Sequence, residues 1–129
     1  MKSILLVDDD MEMSNTISAY LTWNGFNVDC VSNFSDVFKF LDNKKCDLLI
    51  IDALINPGWK VFCAKIRKSE KKVTSKMPVL LIASEVLDTD QLTTLSRLEI
   101  NFLLKFRKIQ DWVNIINNIT GSQNSCNEK

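Results

Sequence analysis

The chain of 129 residues contains no histidine at all. This absence excludes a His-based catalytic triad, a zinc site of the HExxH type and a phosphohistidine of the chain's own. Chemistry must therefore depend on carboxylates, lysines and hydroxyl groups. The four cysteines, Cys30, Cys46, Cys63 and Cys126, form no C-x-x-C pair, so we interpret them as reduced thiols in a reducing compartment.

The sequence also lacks net charge and long apolar runs. Sixteen basic residues balance sixteen acidic ones, so no overall field favours nucleic acid or an anionic membrane. No apolar run approaches the length that spans a bilayer, and the first residues are typical of a strand rather than of a secretory signal. We therefore expect one cytoplasmic domain that contacts neither a membrane nor nucleic acid directly.

Short apolar runs alternate with segments of helical periodicity along the chain. The runs predict strands over residues 2–7, 26–31, 48–51, 79–83 and 102–104, and the periodic segments predict helices over 11–24, 33–41, 59–68, 88–98 and 109–119. The first helix has an apolar face formed by Met13, Ile17, Tyr20 and Leu21. The last helix is expected to pack on the sheet through Trp112, Val113, Ile115, Ile116 and Ile119. Residues 56–58 indicate a turn, and 68–76 a basic surface loop that is either solvated or faces an anionic partner. We expect a domain of residues 1–120 and a disordered tail over 121–129.

This alternation predicts an α/β fold, a doubly wound five-stranded parallel sheet with helices on both faces. In the flavodoxin-like (βα)5 arrangement the strand order is 2-1-3-4-5, and the ligand site lies beyond the carboxyl ends of strands one and three. The runs that end at Val7 and Ile51 are continuously apolar, as strands buried on both faces require.

Three carboxylates stand at the predicted ligand edge, since Asp8 and Asp9 follow the first run and Asp52 follows the third. Neighbouring like charges raise one another's pKa values, and a divalent cation relieves this repulsion. Mg²⁺ fits best because it prefers a few carboxylate oxygens together with water and phosphate. Asp52 could then act as a nucleophile toward a phosphoryl group, and Lys105, after the fifth strand, could pair with the phosphoryl oxygens. The alternative is that these acids are helix caps or solvated loop residues and that Lys105 is a surface lysine.

On these residues the chain resembles the receiver domain of two-component response regulators over residues 2–119. The motifs are Leu6-Val7-Asp8-Asp9, Leu49-Ile50-Ile51-Asp52, Pro57-Gly58 and Lys105. The resemblance implies that Asp52 accepts a phosphoryl group from a phosphohistidine of a sensor kinase or phosphotransfer protein. It also implies that Asp8, Asp9, Asp52 and the backbone carbonyl of Leu54 hold Mg²⁺, and that Lys105 contacts the phosphoryl group.

The resemblance further implies an output surface formed by the fourth predicted helix, the fifth strand and the last helix. This surface would contact a downstream protein target or a second copy of the chain. No DNA-binding segment follows residue 119, so we expect output through protein contacts unless the chain is a fragment of a longer protein.

The sequence departs from the family pattern beside the proposed site. Ala83 stands where receivers usually carry Thr or Ser, and Phe106 replaces the usual proline after the lysine. Ser84 is a candidate replacement for the missing hydroxyl, provided that the strand end bulges or unwinds, because a shift of one residue turns a side chain to the other face.

Three function classes follow from these features. The first is a single-domain, Mg²⁺-dependent receiver that catalyses its own phosphorylation and dephosphorylation rather than turning over a substrate. The second is a pseudo-receiver that binds proteins without phosphate, as Ala83 and Phe106 suggest. The third is a flavodoxin-like electron carrier, which is disfavoured because Asp8-Asp9-Asp10 would repel a flavin phosphate.

Overall fold

The computed structural model describes residues 1–55 and 58–121. In chain order the elements are β1 (Ser3–Val7), α1 (Met11–Trp23), β2 (Asn27–Val31), α2 (Phe34–Asn43), β3 (Leu48–Asp52), α3 (Trp59–Arg67), α4 (Lys72–Ser75), β4 (Val79–Ala83), α5 (Thr89–Leu98), β5 (Asn101–Leu104) and α6 (Ile109–Ile119).

The five strands form one parallel sheet in the order β2-β1-β3-β4-β5, which confirms the predicted fold and strand order. β3 and β4 lie at or next to the centre, and their apolar side chains are almost completely removed from solvent. Because both faces of these strands are covered, only continuous apolar runs can form them without burying unpaired polar groups.

Helices cover the sheet on both sides. α1 and α6 pack on one face through Ile17, Leu21, Trp112 and Ile116, as predicted for the last helix. α2, α3 and α5 pack on the other face, where the ring of Phe62 stacks on Phe34 at a centroid distance of 4.0 Å. Side-chain acceptors begin several of these helices: Asp10 accepts from the N–H of Met13 and Asn33 from that of Asp36.

Two details of the sequence-based prediction were wrong. Residues 68–76 are not a continuous loop, since they contain the short helix α4. Tyr20, predicted on the apolar face of α1 with Ile17 and Leu21, is largely exposed. Residues 122–129 of the tail predicted over 121–129, and residues 56 and 57 of the predicted turn, lie outside the described residues.

Arg67 joins three separate parts of the chain through backbone carbonyls. Its Nε donates to Leu98 O at 2.7 Å, its Nη2 to Glu99 O at 3.0 Å, and its Nη1 to Met77 O at 2.7 Å and Ser75 O at 3.2 Å. One guanidinium thus holds the end of α4, the entry to β4 and the end of α5, where Glu99 adopts a left-handed conformation with φ 56°.

Cys30, Cys46 and Cys63 carry free thiols, as predicted, and Cys126 lies outside the described residues. Burial raises the pKa of Cys63 to about 12 and that of Cys46 to about 11. Within residues 1–55 and 58–121, no helix combines the length and apolar content needed to cross a membrane.

Candidate functional site

Strand register brings the predicted acids to the same edge of the sheet. Val7 of β1 pairs with Ile51 of β3, so Asp8 and Asp52 leave neighbouring strands side by side. Both side chains are almost completely buried, whereas Asp9 is exposed. The structure therefore places two of the three predicted carboxylates inside the site and one at its surface.

Asp52 is held by two donors. Its Oδ2 accepts from the Nζ of Lys105 at 2.7 Å, and its Oδ1 accepts from the backbone N–H of Leu54 at 3.0 Å. The Lys105 side chain is only 7% exposed, and its backbone N–H donates to Ala83 O at 2.8 Å, which fixes the start of the β5–α6 loop against β4. Because the pair is buried, removing either partner would leave an uncompensated charge.

Asp8 is satisfied on one oxygen only. Its Oδ1 accepts from the backbone N–H of Asp10 at 3.0 Å, while its Oδ2 is buried and has no hydrogen-bond partner within the described part of the chain. Burial raises the pKa of Asp8 to about 6, and the charge of Asp52 adds to this rise, whereas the Asp10 N–H and the Lys105 charge oppose it. A buried oxygen without a donor is a position that a cation can satisfy.

The donor chemistry fits Mg²⁺. Asp8 and Asp52 supply hard oxygen ligands, and Mg²⁺ is usually held by one or two carboxylates with water completing its shell. Over residues 1–55 and 58–121, no three His, Cys, Asp or Glu side chains lie close enough to hold a metal ion as a group. The roles of Asp9 and of the Leu54 carbonyl in binding metal stay predictions.

Ala83 and Ser84 lie at the end of β4. Ala83 is buried and remains in regular register with Leu104, while Ser84 follows the strand and is exposed. The role predicted for Ser84 depends on a bulged or unwound strand end, and the parallel ladder is regular up to Ala83. Phe106, in the place of the usual proline, is 75% exposed.

A groove of about 720 Å³ adjoins the site between α1 and α6. Its lining is largely apolar and includes Met13, Tyr20 and Trp112, and Lys105 and Phe106 form the end nearest Asp52. Lys105 therefore belongs both to the buried ion pair and to this groove, here called the α1–α6 groove.

Sequence reasoning missed the backbone donors of the site. The N–H groups of Asp10 and Leu54 orient the two carboxylates, yet every residue except proline carries such a group. Residue types alone cannot reveal these contacts, because they depend on how the chain turns after each strand.

Comparison with known proteins gives the same fold and a family. The family model described as response regulator receiver domain matches residues 4–117. The chain belongs to the response regulator receiver domain family. Receiver domains act in two-component signalling, interact with histidine kinases or phosphotransfer proteins and typically bind Mg²⁺.

Two curated relatives illustrate the sequence similarity. The probable transcriptional regulator ycf29 of Porphyra purpurea is 30% identical over 131 residues, which cover 98% of this receiver and 61% of that protein. The regulatory protein VirG of Agrobacterium tumefaciens is 28% identical over 114 residues, which cover 88% of this receiver and 41% of that protein. The chain thus spans between four and six tenths of the length of these relatives.

Solved structures show the same fold at low sequence identity. A response regulator of Chloroflexus aurantiacus superposes with a TM-score of 0.82 at 20% identity, covering 93% of this receiver and 98% of that chain. The chemotaxis protein CheY4 of Vibrio cholerae gives a TM-score of 0.82 at 16% identity, covering 92% and 98%.

Proposed function

We propose that this receiver accepts a phosphoryl group on Asp52 from a phosphohistidine of a histidine kinase or phosphotransfer protein. The observation that carries the proposal is the buried contact of Asp52 with Lys105 at 2.7 Å, next to the unpartnered Oδ2 of Asp8. A single buried lysine aimed at one carboxylate oxygen, beside a second carboxylate, is an unusual and costly arrangement unless anionic chemistry takes place there.

In the proposed reaction an Asp52 carboxylate oxygen attacks phosphorus. The new O–P bond forms as the N–P bond of the phosphohistidine breaks, and the bonding electron pair returns to the imidazole nitrogen, which takes up a proton. Asp8 and Asp52 would hold Mg²⁺, which supplies positive charge to the phosphoryl oxygens. The ammonium group of Lys105 neutralises charge on the product by moving from Asp52 Oδ2 to a phosphoryl oxygen.

The α1–α6 groove supports the docking of the donor protein. It is largely apolar, Lys105 lines it, and the exposed rings of Tyr20 and Phe106 border it. A helix of the donor lying in this groove would place a histidine near Asp52 without rearranging the sheet. The predicted output surface corresponds to α5, β5 and α6, where Val86 and Leu92 are exposed beside or on α5.

The test is intact mass after incubation with Mg²⁺ and acetyl phosphate. We expect the wild type to gain one phosphoryl group and Asp52→Asn to gain none, whereas Asp42→Asn, an exposed matched control, should behave as the wild type. Lys105→Met should fold, but its phosphorylated form should not be long-lived in the mass spectra, since the phosphoryl oxygens would lack their ammonium partner. Phosphorylation of Asp52→Asn to the wild-type extent would refute the assignment.

A second candidate is a pseudo-receiver that binds its protein partner without phosphate. It is favoured by Ala83, which leaves no hydroxyl at the end of β4 beside Asp52. A folded wild type that neither gains a phosphoryl group nor binds Mg²⁺ at millimolar concentration would support this second function. Gain of a phosphoryl group together with partner affinity that depends on it would exclude it.

A further inference from the structure

A second concave surface lies at the opposite edge of the sheet from Asp52. It has a volume of about 330 Å³, with a floor that includes Leu41 and Met77 and a rim of Lys44, Lys45, Lys71 and Lys72. We call it the lysine-rimmed groove. Residues 41–45 lead into β3, and Met77 leads into β4, so the groove lies at the amino ends of the strands whose carboxyl ends form the phosphorylation site.

The charge of this region differs sharply from that of the whole chain. Nine of the sixteen basic residues fall between positions 44 and 76, together with only three of the sixteen acidic residues. The zero net charge therefore hides a basic stretch of the sequence, from which Lys44, Lys45, Lys71 and Lys72 meet at the rim of the groove. A surface of one sign steers and retains ligands of the other sign.

The rim lysines are available to a ligand. Lys71 pairs with Asp42 at 2.5 Å and Lys44 with Asp29 at 3.8 Å, but both lysine side chains are 62% exposed, and such surface pairs exchange easily. In the part of the chain that the structure describes, Lys45 and Lys72 form no ion pair. Val73 also lines the groove, and its side chain is 61% exposed, so it extends the apolar area.

We propose that the lysine-rimmed groove binds an acidic peptide segment of a protein partner, which packs one large apolar side chain against Leu41 and the exposed Val73, above the buried Met77. The volume is at the small end of the range for ligand sites and suits one or two side chains. Carboxylates on either side of the inserted residue would then meet the lysines of the rim. The groove would then be a docking surface separate from the Asp52 site.

The shape and composition of the groove favour a peptide over other anionic partners. A bilayer surface is flat or convex at this scale and cannot reach an apolar floor at the bottom of a groove. Single-stranded nucleic acid binds through stacking on aromatic rings, and the described lining contains none. Arg67, the arginine of this basic region, is already engaged with four backbone carbonyls.

The test uses fluorescein-labelled peptides in an anisotropy titration of the full chain at low salt. The probe is Glu-Glu-Asp-Leu-Asp-Glu-Glu, and the matched peptide carries glycine in place of leucine. We expect the glycine peptide to bind about tenfold more weakly, because it cannot bury an apolar side chain on the floor. Resonances of Lys45, Lys72 and Met77 should shift in ¹H–¹⁵N and methyl spectra on adding the leucine peptide.

Variants locate the contact. Lys45→Glu/Lys72→Glu should abolish binding of the leucine peptide, whereas Lys108→Glu, an exposed lysine at the start of α6, should not change it. The double variant should still gain a phosphoryl group from acetyl phosphate, so failure here and failure of the proposed phosphorylation are distinguishable. Unchanged circular dichroism and thermal unfolding confirm that both variants fold.

Several outcomes would overturn the proposal. Equal affinity for both peptides would mean that the protein recognises only the negative charge of the peptide and not its leucine. Chemical-shift changes confined to another surface would mean that the groove is not the binding site. Absence of binding by the leucine peptide at millimolar concentration would reject it as well. Sedimentation with phosphatidylserine vesicles that is lost in the double variant, without peptide binding, would assign the lysines to a membrane surface instead.

Discussion

Replacing Asp8 with asparagine should make the metal-free protein more stable at neutral pH. The asparagine side chain has nearly the same shape as that of aspartate but carries no charge. In the wild type the Asp8 carboxylate is buried next to Asp52, and its Oδ2 has no hydrogen-bond donor among the described residues. Removing this charge should therefore remove a cost of folding.

The pKa of Asp8 sets the size of this cost. It rises from the ordinary value of 3.8 to about 6 in the folded protein, a difference of about two units, which corresponds to about 3 kcal/mol. Between these two pH values the folded state binds more protons than the unfolded state, so the free energy of unfolding falls as pH rises through this window. The cost is absent well below pH 4 and complete above pH 6.

Urea denaturation at two pH values tests this reasoning. Asp8→Asn should exceed the wild type by about 1 kcal/mol at pH 4.5 and by about 3 kcal/mol at pH 7.5, as follows from the two pKa values. Asp9→Asn removes a charge from the adjacent, exposed position, and its effect should stay within about 0.5 kcal/mol. An advantage of Asp8→Asn that is absent at pH 7.5, or equal at both pH values, would refute the reasoning.

Magnesium provides an independent arm of the same experiment. If Asp8 and Asp52 hold the ion, millimolar Mg²⁺ should stabilise the wild type, since a ligand that binds only the folded state raises the free energy of unfolding. The same Mg²⁺ concentration should have much less effect on Asp8→Asn, which lacks one of the two charged ligands. Equal stabilisation of both proteins would place the ion elsewhere.

Three further predictions follow from contacts described above. Arg67→Ala should lower the free energy of unfolding in urea by about 3 kcal/mol because four carbonyls lose a charged donor. The control Arg107→Ala loses one exposed ion pair and should lower it by less than about 1 kcal/mol. Similar losses in the two variants would contradict the role of Arg67. Cys63, with its pKa raised to about 12, should react with iodoacetamide only as the protein unfolds, and mass spectrometry should find the exposed Cys30 labelled before Cys63. The side chain of Leu54 is 71% exposed and has no polar group to orient water, so the phosphoryl-aspartate should be long-lived. Leu54→Asn should shorten the half-life of the phosphoryl-aspartate, measured by intact mass. Decay within seconds in the wild type would contradict this prediction.

The fold and the centre of the site were predictable because burial restricts the residue types that a strand can contain. Continuous apolar runs such as 48–51 and 79–83 suit only strands covered on both faces, and the ends of those strands then bring Asp8, Asp52 and Lys105 to one edge. The alternation of strands and helices restricts the possible topologies to a few.

The parts that were not predictable depend on main-chain geometry or on gaps between elements. The helix α4 is one turn long and too short for a periodic pattern, and its end is held by Arg67, which in the sequence resembles any lysine or arginine of a solvated segment. Tyr20 has the spacing of a core residue, but the α1–α6 groove leaves that part of α1 uncovered.

The contacts of Arg67 also set where the chain tolerates change. Its four acceptors are the carbonyl oxygens of Ser75, Met77, Leu98 and Glu99, and every amino acid brings the same carbonyl to these positions. The hydrogen bonds of this junction therefore place no demand on the side chains of its acceptor residues, and any demand there comes from packing, as at the buried Met77 and Leu98. These hydrogen bonds require a particular residue type only at position 67, so a single residue determines whether the three segments are joined.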